Sequence, residues 1–575
     1  MPHEHRSTTE AHMTPFSDRP WLDSYALRVP RDIAEPTETL SQMLSSSARK
    51  YRRNVALQFF GATITYGELG DRISLFANGL RARGVVKGDR VALVLPNSPQ
   101  HVIAFYAVLR LGAIVVEHNP LYTERELRHQ FEDHGARVAI AWDKTVPTLL
   151  NMPDDLGLET VVSVDVTREM PLRTQVALRL PVKKARLARA ALTSGRRVRG
   201  SIDWHDLESS RPLPRRFPGA ALDDTAVLQY TSGTTGTPKG AILSHRNLRA
   251  NAMQGEAWIP GLRAGREVVY GVLPLFHAYG LTLCLSFALS IGARLVLFPK
   301  FDEQLVLDAF RKTPATFLPA VPPIYERLVA AAEDRGVGLR GIRFAISGAM
   351  NLPTRIVELW EQATGGLLVE GYGMTESSPI VVGNPMGPSR RPGTVGVPFP
   401  STDIRVVDPD DPTIDRGVNE EGELLVRGPQ VFSGYWNRPT ETAETLLAGG
   451  WLRTGDIVTV SADGFVTVVD RIKELIITGG FNVAPTEVEE ALISHPDITD
   501  AAVVGIRTPQ GGEDVVAAVV LSPGATLDVP AIREHLKERM AAYKVPRRIE
   551  VVDELPRNIV GKVLRRVVRE QLSAP

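Results

Sequence analysis

Short apolar runs rich in β-branched residues recur along this chain, and stretches of helical periodicity separate them. Val55–Phe60, Arg90–Leu95, Arg137–Ala141 and Thr160–Val164 are runs of the first kind, while Ser98–Leu111 and Glu124–His134 are of the second. Such alternation is satisfied by largely parallel sheets whose faces are covered by helices. With 575 residues the chain exceeds the ~250–300 at which single cores stop growing. The expected fold class is therefore α/β: a large N-terminal domain of helix-covered mixed or parallel sheets, then a small, mobile α+β C-terminal domain. No fixed-period repeat is visible.

The expected boundaries follow from composition. Residues 1–34 read as a poorly ordered leader ending near Pro30 and Pro36, and a helical pattern starts after Thr39 through Leu40, Met43 and Leu44. The large domain spans 35–472 and the small one 473–575. Strand-like Glu423–Arg427 and Gly464–Val469 precede this second boundary. After it, Thr486 and Glu489 have capping-box spacing before Val488, Ala491 and Leu492 on one helical face. Three further strands are expected at Ala501–Ile506, Val515–Leu521 and Ile549–Val552.

Acidic and basic residues balance at 66 each, which argues against a nucleic-acid partner for the whole chain. Cys284 is the only cysteine, so an intramolecular disulfide and a cysteine-based zinc site are excluded and a reducing cytoplasm fits. The first twenty residues lack the apolar core of a signal peptide, and no run of about 18 apolar residues suits a spanning helix. One segment stands apart: residues 168–199 carry ten Lys or Arg against the single acid Glu169. Val182, Leu187, Ala190 and Ala191 form an apolar helical stripe among Lys183, Lys184, Arg186 and Arg189. A basic amphipathic helix suits peripheral contact with the inner, anionic face of a membrane; a solvated helix or disordered insertion is the alternative.

The chemistry centres on Tyr230-Thr231-Ser232-Gly233-Thr234-Thr235-Gly236-Thr237-Pro238-Lys239-Gly240, which follows the strand-like Ala226–Leu228. Glycines let backbone N–H groups approach an anion, hydroxyls add donors and Lys239 adds positive charge. The order is not that of a Walker A loop, since no Gly-Lys-Ser/Thr follows the second glycine. The string resembles the signature of the adenylate-forming superfamily, which includes acyl-CoA synthetases, firefly-type luciferases and the adenylation domains of peptide synthetases. Further motifs resembling the family's occur in the expected order between about Thr39 and Arg566.

The resemblance implies roles residue by residue. In Gly371-Tyr372-Gly373-Met374-Thr375-Glu376, Tyr372 would stack on adenine and Thr375 contact the α-phosphate region. Thr231 and Glu376 would hold Mg²⁺, a hard cation suited to carboxylate and phosphate oxygens. Gly348 and Ala349 match the stretch lining the adenine pocket, with Ala349 where the family has glycine. Asp456, in Thr454-Gly455-Asp456, would accept from both ribose hydroxyls, with Arg471 assisting at the ribose and phosphate side. Lys562, in Leu555-Pro556-Arg557-Asn558-Ile559-Val560-Gly561-Lys562, matches the catalytic lysine. It would neutralise charge as a carboxylate attacks the α-phosphorus. His277 would border the acyl site, with Tyr279, Val321, Met350 and Gly373 lining the acyl channel. Lys473 matches the hinge about which the small domain rotates between half-reactions, bringing Gly479, Gly480 and Phe481 to coenzyme A.

The activity implied is that of an AMP-forming acyl-CoA synthetase using ATP and coenzyme A. The placement of the basic segment is similar to that in long-chain fatty acid–CoA ligases, which favours a medium- or long-chain fatty acid. Alternatives are an aryl or short-chain acid, a fatty acyl-AMP ligase, a P-loop phosphotransferase leaving ADP, and a non-catalytic nucleotide-binding relative. An oligomer stays open.

Overall fold

The computed structural model describes residues 15–196, 198–214, 216–231, 238–478, 481–508, 513–558 and 561–573, with the side chains of Phe481 and Asn482 left out. Two large sheets dominate the N-terminal part. One has nine strands in the order Val397–Pro398, Ile380–Gly383, Leu367–Gly373, Phe344–Ser347, Phe317–Ala320, Val268–Gly271, Arg294–Leu297, Val55–Phe59 and Ala62–Thr65. Its interior pairs are parallel, and antiparallel strands close both ends. The other has seven, in the order Ile202–Asp203, Thr160–Val164, Val138–Trp142, Arg90–Val94, Ile114–Glu117, Thr225–Thr231 and Lys239–Ser244. All are parallel except the final pair.

The helix Pro99–Arg110 explains how the sheets are joined. Every residue from Pro99 to Leu109 is buried, as expected for a helix without a solvent face, and it packs against strands of both sheets. Ser98 caps it, accepting from the His101 N–H at 3.2 Å. A third, antiparallel sheet follows, built on Asp403–Val407, Gly422–Arg427, Leu446–Leu447, Trp451–Val460 and Val466–Arg471.

Beyond it the apolar core is interrupted. The main buried cluster ends at Val466, and a new one starts at Ile476. The sheet Ile498–Arg507, Glu513–Leu521 and Arg548–Val551 is covered on one face through Val488, Leu492 and Ile532 and on the other through Leu555, Val568 and Leu572. The protein is thus a large sheet-and-helix domain followed by a smaller one with cores of its own.

Two expectations are corrected. Residues 1–14 lie outside the described residues, but from Pro15 the leader is packed rather than loose. Trp21 is buried, Arg19 Nε meets Asp403 at 2.7 Å, and the Tyr25 hydroxyl donates to the Pro398 carbonyl at 2.7 Å. An indole hidden in the main core outweighs the polar composition around it. The capping box at Thr486 is not formed: the helix is Pro485–Ile493, and no side chain caps it. The Thr486 hydroxyl and the Glu489 carboxylate are instead taken by Arg565.

In the basic segment, helices Leu172–Leu178 and Lys183–Leu192 contain no buried residue. Among the described residues no helix is long and apolar enough to cross a membrane.

Candidate active site

The site gathers at the C-terminal ends of strands from both large sheets and the edge of the antiparallel one. Thr231 and Lys239 face each other across the antiparallel pair that carries the Gly/Thr string. Ser232, Gly233, Thr234, Thr235 and Gly236 lie outside the described residues. Tyr230 anchors the string's entry by donating its hydroxyl to Asp133 at 2.6 Å.

Lys239 leads to a residue that the motifs did not flag. Its ammonium lies 5.2 Å from the centre of the Tyr435 ring, and the Tyr435 hydroxyl donates to Glu376 Oε1 at 2.6 Å. Tyr435 is placed by an isolated antiparallel bridge to Ala241. It therefore joins Lys239 to the buried carboxylate of Glu376. No periodicity marks it; the sole signal is an aromatic Tyr435-Trp436 pair in a polar stretch.

Strand Leu367–Gly373 delivers the second motif. Gly373 cannot carry a side chain, since a Cβ there would lie 2.0 Å from the Pro379 carbonyl oxygen. Thr375 and Glu376 follow in a short 3-10 turn. Tyr372 donates its hydroxyl to Asp456 in a very short hydrogen bond. Burial, reinforced by the Asp456 charge, holds this phenol protonated.

Asp456 is buried in strand Trp451–Val460, directly opposite Arg471 in Val466–Arg471. The Arg471 Nε lies 3.0 Å from Asp456 Oδ1. Thr-Gly-Asp is thus a strand feature and not a surface turn. Gly455 takes φ of +71° at an irregularity in the ladder, and its N–H bonds Glu423 Oε1 at 3.1 Å. Such a bulge re-aims the next side chain.

Gly348 and Ala349 follow strand Phe344–Ser347. A Cβ on Gly348 would come within 3.3 Å of the Tyr279 ring, so that ring packs against the backbone here. Ala349 adopts φ of +67°, the left-handed conformation that suits glycine. The Tyr279 hydroxyl is spent on the carbonyls of Ile346 at 2.6 Å and Ala320 at 3.2 Å, one residue before Val321. The π-helix Gly280–Ser286 starts immediately after Tyr279, and such helices recur at functional sites. His277 Nδ1 accepts the Tyr279 N–H at 3.3 Å, which selects the tautomer with its proton on Nε2. Burial pushes this imidazole down to about 4, so it is neutral near pH 7.

Lys562 arrives from the small domain. Its loop is held by Asn558, whose side-chain oxygen accepts the Lys562 N–H at 2.9 Å and whose own N–H bonds the Lys562 carbonyl at 2.8 Å. A Cβ on Gly561 would lie 3.2 Å from Met350 Sδ, so the loop sits against the turn that follows Gly348 and Ala349. Burial, with Arg471, lowers the Lys562 ammonium below its ordinary range, while Glu474 and Asp456 oppose that shift. One lysine from the small domain therefore shares a charge cluster with Asp456 and Arg471 of the large one. Lys473 follows Arg471 by two residues, where the cores part. Gly479 and Gly480 lie outside the described residues, as does the Phe481 side chain.

Comparison with known proteins gives the family. The family described as AMP-binding enzyme matches residues 44–436, and its C-terminal domain matches residues 487–562. The chain is 38% identical over 555 residues to the long-chain-fatty-acid–CoA ligase of Bacillus subtilis, spanning 96% of this chain and 98% of that one. The ATP-bound MatB of Rhodopseudomonas palustris superposes with a TM-score of 0.80 at 30% identity, covering 93% of this chain and 99% of its own. The anthranilate CoA ligase AuaEII in complex with anthranoyl-AMP gives 0.80 at 27% identity, with 93% and 97% covered. Matched over nearly all of its length in both sequence and structure, the chain belongs to the AMP-binding enzyme family.

Proposed function

We propose that this chain is an ATP-dependent acid–thiol ligase that activates a medium- or long-chain fatty acid as its acyl-adenylate, releases pyrophosphate, and transfers the acyl group to coenzyme A. The observation that carries the reading is the shared cluster of Lys562, Asp456, Arg471 and Tyr372. It unites a mobile cation with a carboxylate suited to a ribose. Each Asp456 oxygen has one protein partner and a further lone pair, so both ribose hydroxyls can be accepted. Tyr372, tethered through its hydroxyl, presents its ring to adenine beside Gly348 and Ala349.

In the first half-reaction a carboxylate oxygen attacks the α-phosphorus and the bond to the pyrophosphate oxygen breaks. Two anions must meet, and Lys562 together with Lys239 neutralises the charge that gathers. Thr375 contacts the α-phosphate region. His277, neutral with its proton on Nε2, donates to an oxygen of the acid without adding charge. In the second half-reaction the coenzyme A sulfur attacks the acyl carbonyl and AMP leaves. Rotation about Lys473 withdraws Lys562 and brings up Gly479, Gly480 and Phe481.

Mg²⁺ fits the donors present. Glu376 keeps Oε2 while Tyr435 occupies Oε1, and Thr231 adds a hydroxyl. One or two carboxylates plus phosphate oxygens and waters is the usual magnesium environment. Bound there, it would supply charge neutralisation at the phosphates.

The fatty acid is taken up at the inner face of the cytoplasmic membrane. Support comes from residues 168–199, where Leu172, Val176, Leu180, Val182 and Leu187 are all exposed among the ten cations. That is an arrangement suited to an anionic bilayer surface. Carboxylate-dependent exchange of pyrophosphate into ATP, measured across acids from acetate to oleate with benzoate and 4-coumarate, tests the reading. Exchange greatest with the longer fatty acids is expected. Release of ADP overturns the ligase, and preference for acetate or an aryl acid overturns the substrate class.

A further inference from the structure

The strongest charge cluster that the mechanism does not use lies around Arg565. This residue opens the last helix, Arg565–Ser573, three positions after Lys562. Its guanidinium is mostly buried and grips Glu489 with two bonds, Nε to Oε1 at 3.0 Å and Nη2 to Oε2 at 2.6 Å. Nη2 also donates to the Thr486 hydroxyl at 3.1 Å. Nη1 meets Glu474 at very short range and lies 3.7 Å from Asp470 Oδ1. Three carboxylates thus converge on one cation, and they come from both sides of Lys473.

Asp470 belongs to the large domain's strand Val466–Arg471, while Glu474 and Glu489 follow Lys473. Asp470 also receives the Arg471 N–H at 2.7 Å and the Thr486 N–H at 2.8 Å, so one side chain bridges the segment in which the chain would turn. Without Arg565, like charges would face each other across that segment at low dielectric. Rotation about Lys473 would separate Asp470 from Thr486 and Arg565 but leave the Arg565 bonds to Glu474 and Glu489 intact. The cross-hinge pair therefore exists in one pose only.

We infer that Arg565 is a positioning residue for adenylation: it binds Asp470 to Glu474 and Glu489 across the hinge and so holds the small domain with Lys562 in the site. The inference rests on the two-step reading above and on a hinge at Lys473. Arg565 touches no reacting atom, and it has no part in holding the pose used for thioester formation.

The test separates the half-reactions. In R565Q, acid-dependent exchange of pyrophosphate into ATP should fall about tenfold or more through kcat, with KM for ATP and acid little changed, as expected when one member of a buried charge group is removed. Thioester formation from supplied acyl-adenylate and coenzyme A should persist. R565K, which retains the cation, should recover part of the exchange, and so should R565Q combined with E474Q, which removes one of the opposed charges. Where R565Q does not fold, D470N serves instead, since it keeps an acceptor for the Thr486 N–H and removes only the cross-hinge charge. It should lower exchange and spare thioester formation. Unchanged exchange, or equal loss of both half-reactions without recovery in either partner variant, overturns the inference. Absence of exchange in the unaltered enzyme would instead sink the ligase reading itself.

Discussion

The two ends of the proposed site are built in opposite ways. At the ribose end, Asp456 and Arg471 face each other in one antiparallel pair, and Tyr372 reaches them from a strand of the nine-stranded sheet. Each group is fixed by backbone ladders inside one domain. At the phosphate end, Lys562 rides on a loop closed by its own hydrogen bonds with Asn558, and its approach depends on how the small domain sits. In the proposed cycle the nucleotide's sugar would therefore meet a preformed seat, whereas the charge that makes the α-phosphorus attackable would be brought by a moving part. An enzyme that must admit a second substrate to the same carbonyl needs this asymmetry, because a cation fixed like Asp456 could not make way.

Four substitutions would break or sharpen this contrast. Lys562→Ala acts on the moving end alone. It should lower acid-dependent pyrophosphate exchange about 10²–10³-fold, the usual cost of one transition-state charge partner, with ATP affinity by calorimetry nearly unchanged. Tyr372→Phe acts on the fixed end. A buried carboxylate loses a donor worth about 1.5–3 kcal/mol, so the Kd for ATP should rise about tenfold or more while the maximal rate falls less. An unaltered Kd would show that Asp456 needs no tether.

Glu370, two residues before Tyr372, tests the rigidity of the seat through pH. Burial pushes its carboxyl up to about 8 from 4.5, against the Leu352 N–H, which it accepts at 3.2 Å. Its folded-state value is raised, so its contribution is complete below 4.5. Stability is then lost as the pH rises towards 8, because the unfolded chain ionises first. Glu370→Gln should raise Tm at pH 8, with a gain that shrinks towards zero near pH 4.5. The smallest effect belongs to Ala349→Gly, which relieves a left-handed alanine. Relief of a left-handed penalty of about 1–2 kcal/mol outweighs the roughly 0.4–1 kcal/mol of unfolded-chain entropy that glycine adds, so a small net gain is expected in denaturant unfolding, with pyrophosphate exchange little altered.

The architecture was legible where periodicity is a local property. Strand Thr160–Val164 and helix Glu124–His134 fall where the pattern put them, and neighbouring runs agree within a residue or two at their ends. The leader was not legible, because Trp21 is buried by partners hundreds of residues away and nothing beside it signals them. The Thr486 spacing misled for a related reason: a capping box competes with any stronger partner for the same atoms, and Arg565 is that partner. Within the site, motif residues such as Asp456 and Lys562 could be named because each sits in a distinctive string. Tyr435 and Arg565 could not, since their importance lies in which carboxylates they meet in space.

The helix Pro99–Arg110, enclosed by both large sheets, has a further consequence. A rod with no free side acts as a keystone: neither sheet can slide without displacing it, so the large domain offers one fixed origin against which every other displacement is measured. If the proposed hinge at Lys473 operates, shape change on turnover is concentrated in the few residues after Arg471. A distance probe placed across that joint would record almost the whole stroke, while a pair placed on the two sheets would stay silent.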